Sequence, residues 1–315
     1  MDSADLQKIA KRSRFMREAG FALLFASALL GLSLFFERPA AKPAPVARAA
    51  VATSTLDAFA KVSIEAKAAI VYDLATGETL YAKNAGAQLP LASLTKLLTM
   101  HAALSVMPRD AVITIPADAT RLDAPHAFNE GQEFTLSDLA RLTLTASLND
   151  GATAIAEATA ARENRTASAM LASAASALDL SQTYAVNGSG LDVSKSVSGG
   201  YGSAKDVAML AGALVKEAPD IAAATTRSVA QASSLGGTAF TVKNTDPMVG
   251  TFPRLLLSKT GFTDLAGGNL ALVFDAGIEH PVAVVILGSS KDSRFTDASA
   301  LVAATLAHFA GVPSL

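Results

Sequence analysis

The chain has no cysteine and no tryptophan. The first absence excludes disulfides, thiolate nucleophiles and cysteine-based zinc sites. Its four histidines, His101, His126, His280 and His308, are scattered without metal-ligand spacing, so no metal and no other cofactor is expected. An excess of one charge is also missing. The 26 Lys and Arg and 28 Asp and Glu leave a net charge of −2, spread along the chain, which is not the footprint of a nucleic-acid binder. There is no internal repeat. What is abundant is apolar surface: hydrophobic residues make up 50% of 315, enough for one large domain or two modest ones.

The apolar residues are unevenly placed. Residues 1–18 carry Lys8, Lys11, Arg12, Arg14 and Arg17, and Ala19 to Phe36 then has no charge at all. As a helix this run would be about 27 Å long, enough to cross a hydrocarbon core. Its basic flank predicts a cytoplasmic tail at 1–18, a transmembrane signal anchor at 19–37 and export of everything beyond. A cleaved signal peptide would have a shorter apolar region with a small-residue site close behind it. The one plausible site, Ala47-Arg48-Ala49, lies far past Phe36, which favours a retained anchor in the bacterial cytoplasmic membrane. Residues 38–60, rich in Pro and Ala, read as an extended linker. The catalytic domain is expected at 61–315.

In the exported part, Ala68 to Asp73 and Thr79 to Ala82 read as strands around the turn Ala75-Thr76-Gly77-Glu78. A helix follows from about Ser93 to Val106. Thr135-Leu136-Ser137-Asp138 is a capping box that opens a helix to about Thr145. Asp150 to Ala161 and Thr166 to Leu178 are alanine-rich helices, Tyr184 to Asp192 is loop, and Ser203 caps a helix to about Lys216. The apolar runs 255–260, 270–274 and 282–287 read as adjacent antiparallel strands, and Arg294 to Phe309 as a closing helix. This order predicts an α+β fold. One antiparallel sheet built from both chain ends would be flanked by helices, with an all-helical insertion and a cleft where the two meet.

Three short motifs fall at the joints of this scheme. Ser93-Leu94-Thr95-Lys96 places a hydroxyl and an amine on one face at a helix start, where free N–H groups favour developing negative charge. Ser147-Leu148-Asn149 sits between two predicted helices. Lys259-Thr260-Gly261 lies on an apolar strand and runs on into Phe262 and Thr263. Alone, each also reads as an ordinary cap, a snorkelling side chain or an edge-strand charge. Together they supply what amide cleavage needs. Ser93 is the nucleophile, and Lys96 its base if the amine is neutral. Burial and the neighbouring Lys259 cation would lower the Lys96 pKa to that end. The Ser147 hydroxyl can relay a proton to the leaving amine, and Asn149 can orient Lys96 and a substrate amide. Lys259, Thr260, Gly261, Phe262, Thr263 and Arg294 are the candidate substrate-binding residues. Arg294 is included for its forked geometry toward a carboxylate, although pairing with Asp292 or Asp297 at the surface is the plainer alternative.

The ordered set S-x-x-K, S-x-N, K-T-G resembles that of penicillin-binding proteins and serine β-lactamases. The longer stretches resemble the low-molecular-mass D-alanyl-D-alanine carboxypeptidases. These are Tyr72-Asp73 with Thr76-Gly77-Glu78, Leu91 to Lys96, Ser147 to Asp150, Lys259 to Gly268, and Ser293-Arg294-Phe295. The likeness covers about residues 62–310. It implies a β-lactamase/D,D-peptidase-like fold and a serine peptidase that removes the terminal D-alanine of peptidoglycan stem peptides through an acyl-enzyme at Ser93. It also implies acylation by β-lactams and an oxyanion hole formed by the N–H groups of Ser93 and Phe262. Asn187 to Leu191 matches an Asn-x-x-Gly-Leu of that family, though by itself it reads as a turn. Many members carry a further β domain and a C-terminal amphipathic anchor, whose place the N-terminal span would take. Asn269 stands where Cys or Ser is common. The alternatives are a D,D-endopeptidase that cuts cross-links, a β-lactamase, whose deacylating glutamate is not evident here, and a non-catalytic wall-binding homologue.

Overall fold

A computed structural model describes residues 57–311 and, near the N-terminus, 11–12, 14–18, 20–21 and 23–24. The latter are helical and belong to a separate unit, residues 1–53, distinct from 54–315. No helix among the described residues is long and apolar enough to cross a membrane. The anchor expected at 19–37 and the linker at 38–60 lie mostly outside the described residues.

The larger unit is organised by a five-stranded antiparallel sheet. In chain order its strands are β1 (Ala68–Asp73), β2 (Thr79–Lys83), β10 (Leu255–Thr263), β11 (Gly267–Asp275) and β12 (Pro281–Ser289). Their order across the sheet is β10-β11-β12-β1-β2, so the first and last parts of the chain meet at β1 and β12, with Val71 opposite Val284. The expected sheet from both chain ends is therefore present.

The central strands are apolar at nearly every position because both of their faces are covered. On one face Ile70, Leu257, Ala271, Val273, Ala283 and Val285 join a core with helix α1 (Thr95–Val106) and helix α5 (Ala204–Glu217). On the other, Val71, Leu270, Leu272, Phe274, Val284 and Ile286 pack with Ala298, Leu301 and Val302 of the closing helix α7 (Ser293–Ala310). Between the sheet's two halves lie α2 (Leu136–Ala146), α3 (Asn149–Arg162), α4 (Ala167–Ala177), α5 and the short α6 (Pro219–Ala224).

Local chemistry explains the starts of these helices. Thr135, Thr166 and Ser203 each accept a hydrogen bond from the backbone N–H three residues on, as N-caps do. Two features depart from the sequence reading. Tyr184 to Asp192 is not wholly loop, since β6 (Tyr184–Ala185) pairs with β7 (Gly200–Gly202). Strands β8 (Val229–Ser233) and β9 (Ala239–Lys243) form a separate hairpin that the sequence did not signal. In β8 the inward positions are the alanines Ala230 and Ala232, which contrast little with their neighbours, and in β9 the pattern rests on Phe240 and Val242 alone. A further pair, β4 (Val112–Thr114) with β5 (Glu133–Thr135), is only three residues long on each side, and the two-residue β3 (Leu89–Pro90) pairs with β7.

Candidate active site

The turn that carries Ser93 is strained. Ala92, just before it, has φ 49°, a left-handed conformation costly for a residue with a Cβ. Close packing holds it. Leu91 N–H donates to the Gly200 carbonyl at 2.9 Å, and Gly190 lies so close that a Cβ there would sit 1.9 Å from the Ala92 carbonyl oxygen. Ser93 ends up in a single 3-10 turn, Ala92–Leu94, leading straight into α1.

One turn along α1, the Lys96 side chain is fully buried. Its Nζ lies 2.8 Å from each of three oxygens: Ser93 Oγ, Asn149 Oδ1 and the Ser189 carbonyl. Asn149 is fixed in turn by its Nδ2, which donates to the Asp123 carbonyl at 2.9 Å. Two of the three oxygens around Lys96 can only accept. A neutral amine has two N–H bonds and one lone pair. With both N–H bonds spent on Asn149 and Ser189, the lone pair is left facing the Ser93 hydroxyl. Burial and then the nearby Lys259 charge push the Lys96 amine well below its ordinary range, with Asp150 opposing them.

Ser147 closes the end of α2 with φ 60°, where glycine is usual. The serine keeps a hydroxyl there, and Lys259 Nζ donates to it at 2.9 Å and to the Thr260 carbonyl at 2.7 Å. Lys259 is 1% exposed, so it is no edge-strand decoy, although β10 is an outer strand. Burial, then the Arg294 charge, bring its pKa from 10.5 to about 7, against a pull upward from Asp246.

Between pH 7 and 10.5 the unfolded chain holds a proton on this lysine that the folded chain has released, so stability rises with pH across that window. Urea midpoints should therefore increase from pH 7 to 9.5, and Lys259→Met should lose about 1 kcal/mol of that gain per pH unit. A variant whose pH slope matches the wild type would contradict the assignment.

The strand edge meets the nucleophile at Gly261. A Cβ on it would stand 2.9 Å from the Leu91 carbonyl oxygen and 3.3 Å from Ser93 N. Both obstacles are backbone, which cannot rotate away. Gly261→Ala should thus push β10 off the serine turn and slow acylation of Ser93 by about 100-fold or more with the fold retained, as a misplacement of order 1 Å does. Stopped acylation measured beside an unchanged circular dichroism spectrum would check this, and an alanine variant with normal acylation would refute it.

The remaining candidates divide. Thr260 stays at the site, its hydroxyl 2.6 Å from that of Thr245. Phe262 is 45% exposed, with the Lys291 ammonium 5.5 Å from the centre of its ring. The Thr263 hydroxyl, expected to meet substrate, instead donates to Asp192 Oδ1 at 3.1 Å and accepts from Ala266 N–H. Its position past the end of the motif swings it toward the 187–198 segment. Arg294 makes no ion pair with Asp292 or Asp297 among the described residues. It is 6% exposed and donates through Nη1 to the Gly261 carbonyl at 2.7 Å, while its Nε is buried without a partner. Asp297 serves elsewhere, accepting from Glu65 N–H, Ala66 N–H and the Ser289 hydroxyl. Asn269 is buried and bridges the Pro90 carbonyl and Gly288 N–H, a structural use of its amide. No cluster of metal-ligating side chains occurs among the described residues.

A serine hydroxyl hydrogen-bonded to a buried amine, and a second buried lysine that donates to another serine, can together support acyl transfer. Residues 53–291 match the family described as D-alanyl-D-alanine carboxypeptidase. The chain belongs to that family. Among similar D-alanyl-D-alanine carboxypeptidases is DacF of Bacillus subtilis, 28% identical over 237 residues, 73% of this chain and 59% of that protein. A D-alanyl-D-alanine endopeptidase of Pseudomonas aeruginosa is 30% identical over 240 residues, 74% of each chain. Penicillin-binding protein D2 from Listeria monocytogenes, solved in an ampicillin-bound form, superposes with a TM-score of 0.66 at 26% identity, over 78% of this chain and 98% of that one. The α+β fold of the D,D-peptidases, an antiparallel sheet flanked by helices, is thus this chain's fold. Contributions the sequence reading missed are the Ser189 carbonyl on Lys96, and Thr245 and Asp246 behind β10. The match of Asn187 to Leu191 to the family was the only signal for the first.

Proposed function

We propose that the protein is a serine-type D-alanyl-D-alanine carboxypeptidase acting on peptidoglycan stem peptides and acylated by penicillins. The observation that carries this reading is the Lys96 amine, with two acceptors that only receive and a serine hydroxyl at 2.8 Å. Lys96 takes the Ser93 proton as Oγ attacks the carbonyl of the penultimate D-alanine. The N–H groups of Ser93 and Phe262 receive the oxyanion. The proton returns through the Ser147 hydroxyl to the amine of the departing D-alanine, and water then releases the acyl group. Lys259, Thr260 and Arg294 recognise the terminal carboxylate. Arg294 acts from beneath, through its charge and its hold on the Gly261 carbonyl. The basic tail and uncharged run at the N-terminus favour a single-pass anchor in the cytoplasmic membrane with the catalytic domain outside.

Mass spectrometry tests the reading. Incubation with penicillin should add one penicilloyl group on the peptide containing Ser93, and a D-Ala-D-Ala peptide should yield free D-alanine. Absence of both would end it. The similarity to an endopeptidase favours a second reading, cleavage of cross-links, and a cross-linked dimer offered alongside the pentapeptide separates the two. Membrane fractionation of full-length chain tests the anchor.

A further inference from the structure

Two buried cations, Lys259 in the middle of β10 and Arg294, which donates to the Gly261 carbonyl two residues along, act on each other, and neither has an ion pair among the described residues. Such charges are costly unless balanced. The one buried carboxylate acting on both is Asp246, 1% exposed, in the segment between β9 and β10. Its placement is closely specified. Oδ2 accepts from the Ser258 hydroxyl at 2.6 Å and Oδ1 from Met248 N–H at 2.7 Å, while Asp246 N–H donates to Asn244 Oδ1. Ser258 is the residue before Lys259, and Thr245, the residue before Asp246, holds the Thr260 hydroxyl. Asp246 is thus tied to the strand on either side of the lysine without touching its ammonium.

We propose that Asp246 is a positioning residue for the active-site cation: its buried carboxylate keeps Lys259 protonated, and its segment aims the Thr260 hydroxyl. This rests on the functional reading above, in which a charged Lys259 binds the substrate carboxylate and disfavours the protonated form of Lys96. The charged groups around Lys259 are Lys96 from α1, with Asp150 of α3 behind it, Arg294 from α7, with Asp292 preceding it, and Asp246. Only Asp246 is a carboxylate acting directly on Lys259; Asp150 acts on Lys96 and Asp292 on Arg294. Without its charge Lys259 loses its proton at lower pH, and the site would stop working at a lower pH too.

The test pairs Asp246→Asn, which keeps the shape, with Ser258→Ala, which removes one hydrogen bond and keeps the charge. Two quantities are read: the 15N titration of the Lys259 amine in lysine-labelled protein without substrate, and the pH profile of Ser93 acylation by labelled penicillin. In Asp246→Asn the lysine midpoint and the alkaline limb should both move down by about one pH unit, a roughly tenfold slower acylation above the midpoint. In Ser258→Ala both should stay near the wild type. A lysine midpoint unchanged in Asp246→Asn, or an equal shift in Ser258→Ala, overturns the proposal. A wild type that takes up no penicillin and releases no D-alanine sinks the functional reading instead, while the amine titration still reports what Asp246 does to Lys259.

Discussion

Ser93→Ala is expected to abolish both penicillin labelling and release of D-alanine, with a loss of roughly 10⁴-fold or more. The size follows from what is removed. The hydroxyl is the one group aimed at the Lys96 lone pair, and an acyl-enzyme cannot form without it. Water held in its place would lack the fixed attack geometry that the strained turn at Ala92 imposes. The fold should survive, because the side-chain hydrogen bond of Ser93 is to Lys96 alone and alanine fits the same 3-10 turn. A thermal midpoint within a degree or two of the wild type, with no labelled band after exposure to penicillin, is the expected pair of results. Undiminished labelling would move the nucleophile elsewhere.

Lys96→Arg, which fixes a positive charge where the enzyme needs a neutral amine, is expected to cost about 10³-fold in acylation. The native amine and its replacement differ in kind as proton acceptors. A lysine amine, buried and facing Lys259, can shed its proton and present a lone pair. A guanidinium does neither at any working pH, and its planar fork does not fit three oxygens each 2.8 Å from one nitrogen. If Lys96 served only as a cation that holds Ser93 in place, arginine would retain much of the rate. Pre-steady-state acylation with a chromogenic cephalosporin decides it, and a rate within tenfold of the wild type would remove Lys96 from the role of base.

Much of the fold was legible because its strands are long and apolar. Runs such as Val282 to Leu287 are buried on both faces, and a segment without a polar side has few other places to go. The hairpin at Val229–Ser233 and Ala239–Lys243 was hard to read because each strand is five residues long and only Phe240 and Val242 stand out as large inward side chains. Arg294 was visible as a fork suited to a carboxylate. Whether it faced solvent, an aspartate or the underside of β10 depended on where α7 packs, and packing put it beneath Gly261. Thr263 lies within the matching stretch, yet its hydroxyl turned to Asp192, a residue 71 positions away.

Sequence alone determined the chemistry available: a hydroxyl and an amine one helical turn apart, a serine and an amide at a helix joint, a lysine on a strand, and no thiol for another kind of catalysis. Those residues act through their own side chains, so their identity and short spacing carry the information. The protonation states were decided only by the tertiary structure. The Ser189 carbonyl that takes one Lys96 hydrogen comes from a distant segment, as do the burial and then the Arg294 charge that bring Lys259 to about 7. A backbone acceptor has no residue identity, and desolvation belongs to a place in the fold rather than to a letter in the chain.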